Sequence, residues 1–245
     1  MPTSVIVPRP GTHLSRSMFP NTQGPRMTLS HSSSHLDRRR LLIGSALAGL
    51  GAVLPGSVLA NDESPVDPAA VQASGDLPEL AYGDPSAPVT VVEYTSLTCG
   101  FCAEFHVGVL PEFKRTHIDT GRARLVLREF PLDPRSLAGF MLARCLNGEA
   151  TLAMIDVLFR QQKTWARAEN ASAALLGIAQ LSGMDRDAFA SCLSNKELQA
   201  QVVEVQERGR REFGVSGTPT FFVGGQRQVG MIAAADLGAL VDAQT

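Results

Sequence analysis

The chain has 245 residues, 44% of them apolar and 19% charged, which allows one large domain or two small ones with a sizeable core. Residues 61–245 carry 16 Lys and Arg against 23 Asp and Glu. That acidic excess argues against nucleic acid as a partner, because phosphate binding needs a basic surface.

Residues 1–37 are rich in Ser, Thr, Pro, Gly and His and show no hydrophobic period. Asp37-Arg38-Arg39-Arg40 follows, then an uncharged run from Leu41 to Ala60 that ends Val58-Leu59-Ala60. A basic cluster, an apolar stretch and small residues at the last and third-last positions make a cleaved secretory signal, with cleavage expected after Ala60. The run reaches the roughly 20 residues of a membrane anchor, but Gly, Ala, Ser and Pro55 dilute it, which favours the signal. The arginines before a weakly apolar stretch resemble a twin-arginine export signal, so export by either the Tat or the Sec route stays open. Met27 is an alternative translation start. No cysteine near residue 60 offers a lipid anchor.

Residues 61–87, with five prolines in or just beyond them, read as a linker with a short edge strand near Leu80. Val89 to Thr95 is a β-branched run suited to a central strand, interrupted by Glu93. Residues 103–117 read as an amphipathic helix that Pro111 should kink. Ala123 to Phe130 alternates as a second strand. From Asp133 to Phe213 the period becomes helical, with breaks that separate five segments. Thr218 to Val223 is a strand, Gly224-Gly225 a tight turn, Gln226 to Val229 a returning strand, and Ala233 to Ala243 a closing helix.

This order is an α/β thioredoxin fold with an all-helical insertion between its βαβ and ββα halves. The expected layout is a signal with its N-terminal extension over 1–60, and a linker and edge segment over 61–87. The first half then covers 88–130, the insertion 131–213 and the second half 214–245.

Cys99-Gly100-Phe101-Cys102 carries the chemistry. Two cysteines three apart at a helix start can close a small ring, and the first sits where free backbone N–H groups and the helix dipole favour an anion. Cys99 is therefore the expected attacking thiolate and Cys102 the buried resolving thiol. The competing readings are a structural disulfide and half of a zinc site. Zinc would need a second pair, and Cys145 and Cys192 show no such spacing, so no metal and no cofactor are expected. Gly217-Thr218-Pro219-Thr220 enters a strand where a cis X-Pro bond, or an ordinary trans one, would sit. Opposite a CxxC, a cis loop would expose a backbone edge for a substrate strand. Glu93, inside an apolar strand, is expected to be buried near Cys102 with its pKa raised, where it could shuttle that thiol's proton; the bland alternative is a solvent-facing acid. His106 is expected at the surface or partly packed, and Trp165, Phe221 and Phe222 in the core.

Glu93-Tyr-Thr-Ser-Leu-Thr-Cys99-Gly-Phe-Cys102, the helical insertion and Val215-Ser-Gly-Thr-Pro219-Thr-Phe-Phe-Val resemble the DsbA-like thiol:disulfide oxidoreductases of the bacterial periplasm. The resemblance spans residues 80–243. It implies a nucleophile at Cys99, a resolving thiol at Cys102, a buried acid at Glu93 and a cis-proline loop at Thr218-Pro219, with Gly100 and Phe101 beside the substrate. It also implies oxidation of reduced exported proteins, and re-oxidation by a quinone-linked membrane partner of the DsbB kind. Some members carry an extra bridge in the insertion, which favours a structural disulfide between Cys145 and Cys192 over two buried free thiols. The sequence departs from the best-known DsbA pattern by Gly-Phe in place of Pro-His and Thr218 in place of Val. Both departures look more like DsbC-type isomerases. The 27 residues from Asn61 to Ala87 are too few for the dimerisation domain of those isomerases, so a monomeric oxidase is expected. A reductase or isomerase, or a non-catalytic peptide-binding chaperone, is the alternative.

Overall fold

The computed structural model describes residues 65–245. The expected leader and its cleavage site lie outside them. The stretch read as linker holds more structure than its prolines suggest. Asp67 accepts a hydrogen bond from the Ala69 N–H and Pro68 opens the helix α1, Pro68–Gln72, a start signal in which Pro lacks only a donor the first turn would leave unpaired. Val71 of that helix is buried.

Five strands form one sheet: β1 (Leu80–Tyr82), β2 (Val89–Thr95), β3 (Ala123–Glu129), β4 (Thr220–Val223) and β5 (Gln226–Val229), in the order β1-β3-β2-β4-β5. Only β2 and β3 run parallel. Every residue of the central strand β2 is buried, which its apolar run anticipates. Gly224 and Gly225 turn β4 into β5 with φ of 56° and 81°, a conformation that glycine adopts without steric penalty.

Strand parity sorts the core into two layers. Val92, Tyr94, Val126 and Phe222 face Phe213, Val215 and Val71 on one side. Val91, Leu125, Leu127, Phe221 and Val223 face the other layer, which contains Cys102, Phe105 and the helical core. Glu93, two residues after Val91, shares that second face and is fully buried there.

The helix after the CxxC runs from Gly100 to Ile118 without a break. It comprises α2 (Gly100–Glu104), a π-helical segment Phe105–Val109, α3 (Leu110–Phe113) and a second π segment Lys114–Ile118. Pro111 does not end the helix. The turn just before it widens instead, with the Leu110 N–H donating to the Phe105 carbonyl, and such widening is one way a helix absorbs a local mismatch.

Six helices lie between β3 and β4: α4 (Pro134–Arg144), α5 (Glu149–Arg160), α6 (Gln162–Trp165), α7 (Ala171–Leu181), α8 (Arg186–Ser194) and α9 (Lys196–Phe213). Asp133, Asn170, Asp185 and Asn195 cap four of them through side-chain oxygens. Helix α10 (Ala234–Asp242) closes the chain. Trp165 is fully buried and donates its indole N–H to the Leu158 carbonyl at 2.8 Å. Phe221 and Phe222 are buried on opposite faces of the sheet. Cys145 and Cys192 are joined by a disulfide that links the end of α4 to α8 across 47 positions. Closing a loop of that length stabilises by about 2–4 kcal/mol. Beside the disulfide, at the same end of α4, Arg144 Nε meets Glu129 at 2.5 Å and its Nη1 donates to the Pro78 carbonyl at 2.5 Å.

Candidate active site

Cys99 is the N-cap of α2, and its sulfur accepts a hydrogen bond from the Cys102 N–H at 3.4 Å. Its backbone is extended while the next residue is already helical, so the sulfur faces the unpaired N–H groups of the first turn. Cys99 is half-buried and Cys102 wholly buried, and both are free thiols. Gly100 is exposed, and Phe101 beside it is 60% exposed.

The Thr218-Pro219 bond is cis, and the Cys99 sulfur donates to the Thr218 carbonyl at 3.2 Å, 119 positions away in sequence. Sheet order accounts for this meeting. Cys99 leaves the end of β2, and Pro219 enters β4, the antiparallel neighbour of β2. The Thr218 hydroxyl is buried and has no hydrogen-bond partner among the described residues, which leaves it free to turn toward the sulfur.

These contacts separate the two thiols electrostatically. The Cys102 thiol donating to the Cys99 sulfur is the largest influence that holds Cys99 down, to about 6 from an ordinary 9.0. The Thr218 side chain and the Cys102 and Phe101 N–H groups add to it, while partial burial opposes it. Burial first, then its donation to Cys99 and the negative charge of Glu93, push Cys102 far up. At pH 7 the pair therefore reads as one thiolate at the surface and one protonated thiol beneath it. Alkylation of reduced Cys99 should rise with pH around a midpoint near 6. A midpoint near 9 would mean that the cap and the Cys102 donor do not act on the sulfur.

The loop before the CxxC is clamped from the insertion. Ser136 Oγ accepts from the Leu97 N–H at 3.0 Å, and Gln162 Nε2 donates to the carbonyls of Leu97 at 2.9 Å and Cys99 at 2.7 Å. Gly139 of α4 comes so close that a β-carbon there would lie 2.8 Å from the Leu97 side chain.

One residue stands elsewhere than its sequence reading put it. His106 is buried, not at the surface, and its Nε2 lies 3.0 and 3.2 Å from the two carboxylate oxygens of Glu93. The signal was available in the spacing: His106 is four residues after Cys102, so the two share a helix face. Among the described residues no cluster of three His, Cys, Asp or Glu is placed to hold a metal ion, and no helix is long and apolar enough to cross a membrane.

The family model described as Thioredoxin matches residues 76–243, and the chain belongs to the thioredoxin family. Within that family its fold is the DsbA form. The alpha-DsbA1 structure of Wolbachia pipientis superposes with a TM-score of 0.64 at 30% identity, covering 69% of this chain and 92% of that one. BdbD of Bacillus subtilis, at 17% identity and TM-score 0.60, covers 68% of this chain and 92% of its own, a likeness of fold alone. A putative protein-disulfide oxidoreductase of Rickettsia conorii is 32% identical over 148 residues, which are 60% of this chain and 53% of that protein. The chain thus spans about half the length of the curated rickettsial relatives it matches.

Proposed function

We propose that the chain is a thiol:disulfide oxidoreductase that introduces disulfides into exported proteins through Cys99 and Cys102. The observation that carries this reading is the geometry of the pair: the half-buried Cys99 sulfur caps α2 against the cis Thr218-Pro219 bond, above the wholly buried Cys102 thiol. In the oxidised form, a substrate thiolate attacks the Cys99 sulfur, and the Cys99–Cys102 bond breaks with its electron pair on Cys102. Cys102 then takes a proton, for which the buried Glu93 carboxyl is the nearby donor. A second substrate thiolate attacks the mixed disulfide and releases Cys99 as a thiolate, already in its stable ionisation state. The product is an oxidised substrate and a reduced enzyme with one proton on Cys102.

The Thr218 carbonyl at 3.2 Å from the sulfur supports a groove in which an extended substrate lies along the cis-proline loop, with Gly100 and exposed Phe101 at its side. Re-oxidation by a quinone-linked membrane partner and a periplasmic location reached through the leader to Ala60 belong to the same proposal, as does a monomeric state. The Gly-Phe dipeptide and Thr218 favour a second reading, a reductase or isomerase with the same residues.

The reduction potential separates them. The purified protein, equilibrated with glutathione buffers, should lie above the thioredoxin value of about −270 mV, toward the oxidising end near −120 mV, because stabilising the Cys99 thiolate stabilises the reduced form. That stabilisation acts on the ionised sulfur, so it is fully present above the ordinary thiol value of 9.0, shrinks as pH falls and is lost below about 6. The potential should accordingly fall by about 59 mV per pH unit below pH 6 and about 30 mV above it, as two protons per two electrons become one. A thioredoxin-like potential would replace the oxidase with the reductase or isomerase.

A further inference from the structure

Glu93 has no direct path to water. Its side chain is fully buried, and both carboxylate oxygens face one ring nitrogen of His106. A proton that Glu93 gives to Cys102 must be replaced from somewhere, and His106 is the polar side chain it touches. The His106 ring stacks on Phe159 at 4.1 Å between centroids with 16° between planes. Its other nitrogen, Nδ1, is buried and has no hydrogen-bond partner among the described residues. An unpaired polar atom in a core costs about 1–3 kcal/mol. A nearby water would relieve that cost, and a place for one adjoins the residue. His106, Tyr82, Lys114, Asp119, Asp156 and Arg160 line a cavity of about 310 Å³, room for several waters at roughly 30 Å³ each.

We propose that His106 is a positioning residue that relays protons between the buried Glu93 carboxyl and the water of this cavity. The Cys102 thiol then exchanges its proton with solvent from inside the protein, one helical turn below the sulfur that meets substrate. The inference rests on the exchange chemistry proposed above. After substrate attack leaves Cys102 as a thiolate, Glu93 gives that sulfur its proton. His106 passes its Nε2 proton to the Glu93 carboxylate as Nδ1 takes one from cavity water. The imidazole ends neutral with its proton on Nδ1, Glu93 ends protonated, Cys102 gains one proton, and the hydroxide left in the cavity passes to solvent. The reverse sequence removes the proton when Cys102 attacks a mixed disulfide: Glu93 protonates Nε2, Nδ1 gives its proton to cavity water, Cys102 reprotonates Glu93, and the ring is back in its first tautomer.

The groups that face His106 are Glu93 from β2, Tyr82 from β1, Asp156 and Arg160 from α5, and Lys114 and Asp119 at the far end of its own helix. Tyr82 is occupied, donating to Asp156 at 2.6 Å, so His106, which both lines the cavity and touches Glu93, is the side chain left to carry a proton inward.

The test is rapid mixing of the reduced full chain with oxidised glutathione, which separates two steps. Cys99 first attacks to form a mixed disulfide and release one glutathione thiol; Cys102 then closes the ring and releases the second. His106→Gln keeps an N–H donor for Glu93 but cannot relay. Its ring closure should slow by at least about tenfold with a flattened pH profile, while the first step keeps its rate. Closure at the wild-type rate would overturn the relay. Slower closure with an unchanged pH profile would also overturn it, by making His106 a packing residue. Wild-type closure in mixtures of light and heavy water gives an answer even if the variant does not fold. A bowed dependence on deuterium fraction means more than one proton in flight, and a straight line would overturn the chain. A wild-type protein that forms no mixed disulfide at all would sink the oxidoreductase reading instead.

Discussion

Cys99→Ser should abolish thiol–disulfide exchange, with a loss of at least about a thousandfold, the scale on which removing a covalent nucleophile acts. The Cys99 thiol, near 6, is largely ionised at neutral pH, whereas a serine hydroxyl is not. No second sulfur can take over, because Cys102 is wholly buried and held protonated, and Cys145 and Cys192 are bonded to each other. Cys102→Ser should behave differently. Cys99 still attacks, but nothing closes the ring, and the mixed disulfide persists. Mass spectrometry after incubation with a disulfide-containing peptide should find the peptide joined through Cys99. Full function in Cys99→Ser would remove the chemistry from the proposal and leave a peptide-binding groove beside Pro219.

The second large effect concerns stability. Arg144→Met should lower the free energy of unfolding by about 3–5 kcal/mol, the usual cost of stranding a buried charge. The Arg144 and Glu129 side chains are 7% and 1% exposed, and the second Glu129 oxygen already lacks a hydrogen-bond partner among the described residues. Without the guanidinium, the carboxylate at the end of β3 would lose its ion-pair partner, and the Pro78 carbonyl would lose its donor. For a domain of this size the loss corresponds to a melting temperature lower by on the order of 10 °C. Replacing both partners, Arg144→Met with Glu129→Leu, should restore much of it, because a well-packed apolar pair avoids the desolvation of both ions. A loss below about 1 kcal/mol in the single variant would mean that water reaches the pair.

The elements most legible in the sequence were those in which one residue type does one job. The β-branched run at 89–95 announced a central strand, and Cys99 to Cys102 announced a helix start, with Cys99 as its N-cap. The spacing of apolar residues after Asp133 marked the insertion. Two prolines carried local signals. Pro68 reads as linker punctuation among its neighbouring prolines, although Asp67 before it makes a capped helix start. Pro111 announced a local irregularity in its helix, and the π turn just before it is the form that irregularity takes. The placement of His106 was harder to see, because counting from Cys99 sets it two turns away, while counting from Cys102 sets it on the buried face. Glu129 and Arg144 show a limit of another kind. Each is an ordinary charged residue in its own segment, and only the packing of α4 against β3 makes them a buried pair.

The contacts from Ser136 and Gln162 to Leu97 and Cys99 bear on how separable this molecule's parts are. The helical insertion looks like an accessory that could be excised to leave a minimal redox domain. However, the carbonyl of the reactive cysteine itself is held by a side chain 63 positions downstream, within the insertion. A truncated version would keep the sheet and the CxxC but release the backbone that aims the sulfur. Transplanting an insertion from a relative would likewise import a different set of clamps. The geometry of the pair and the insertion are therefore coupled, and engineering either one means redesigning the seam between them.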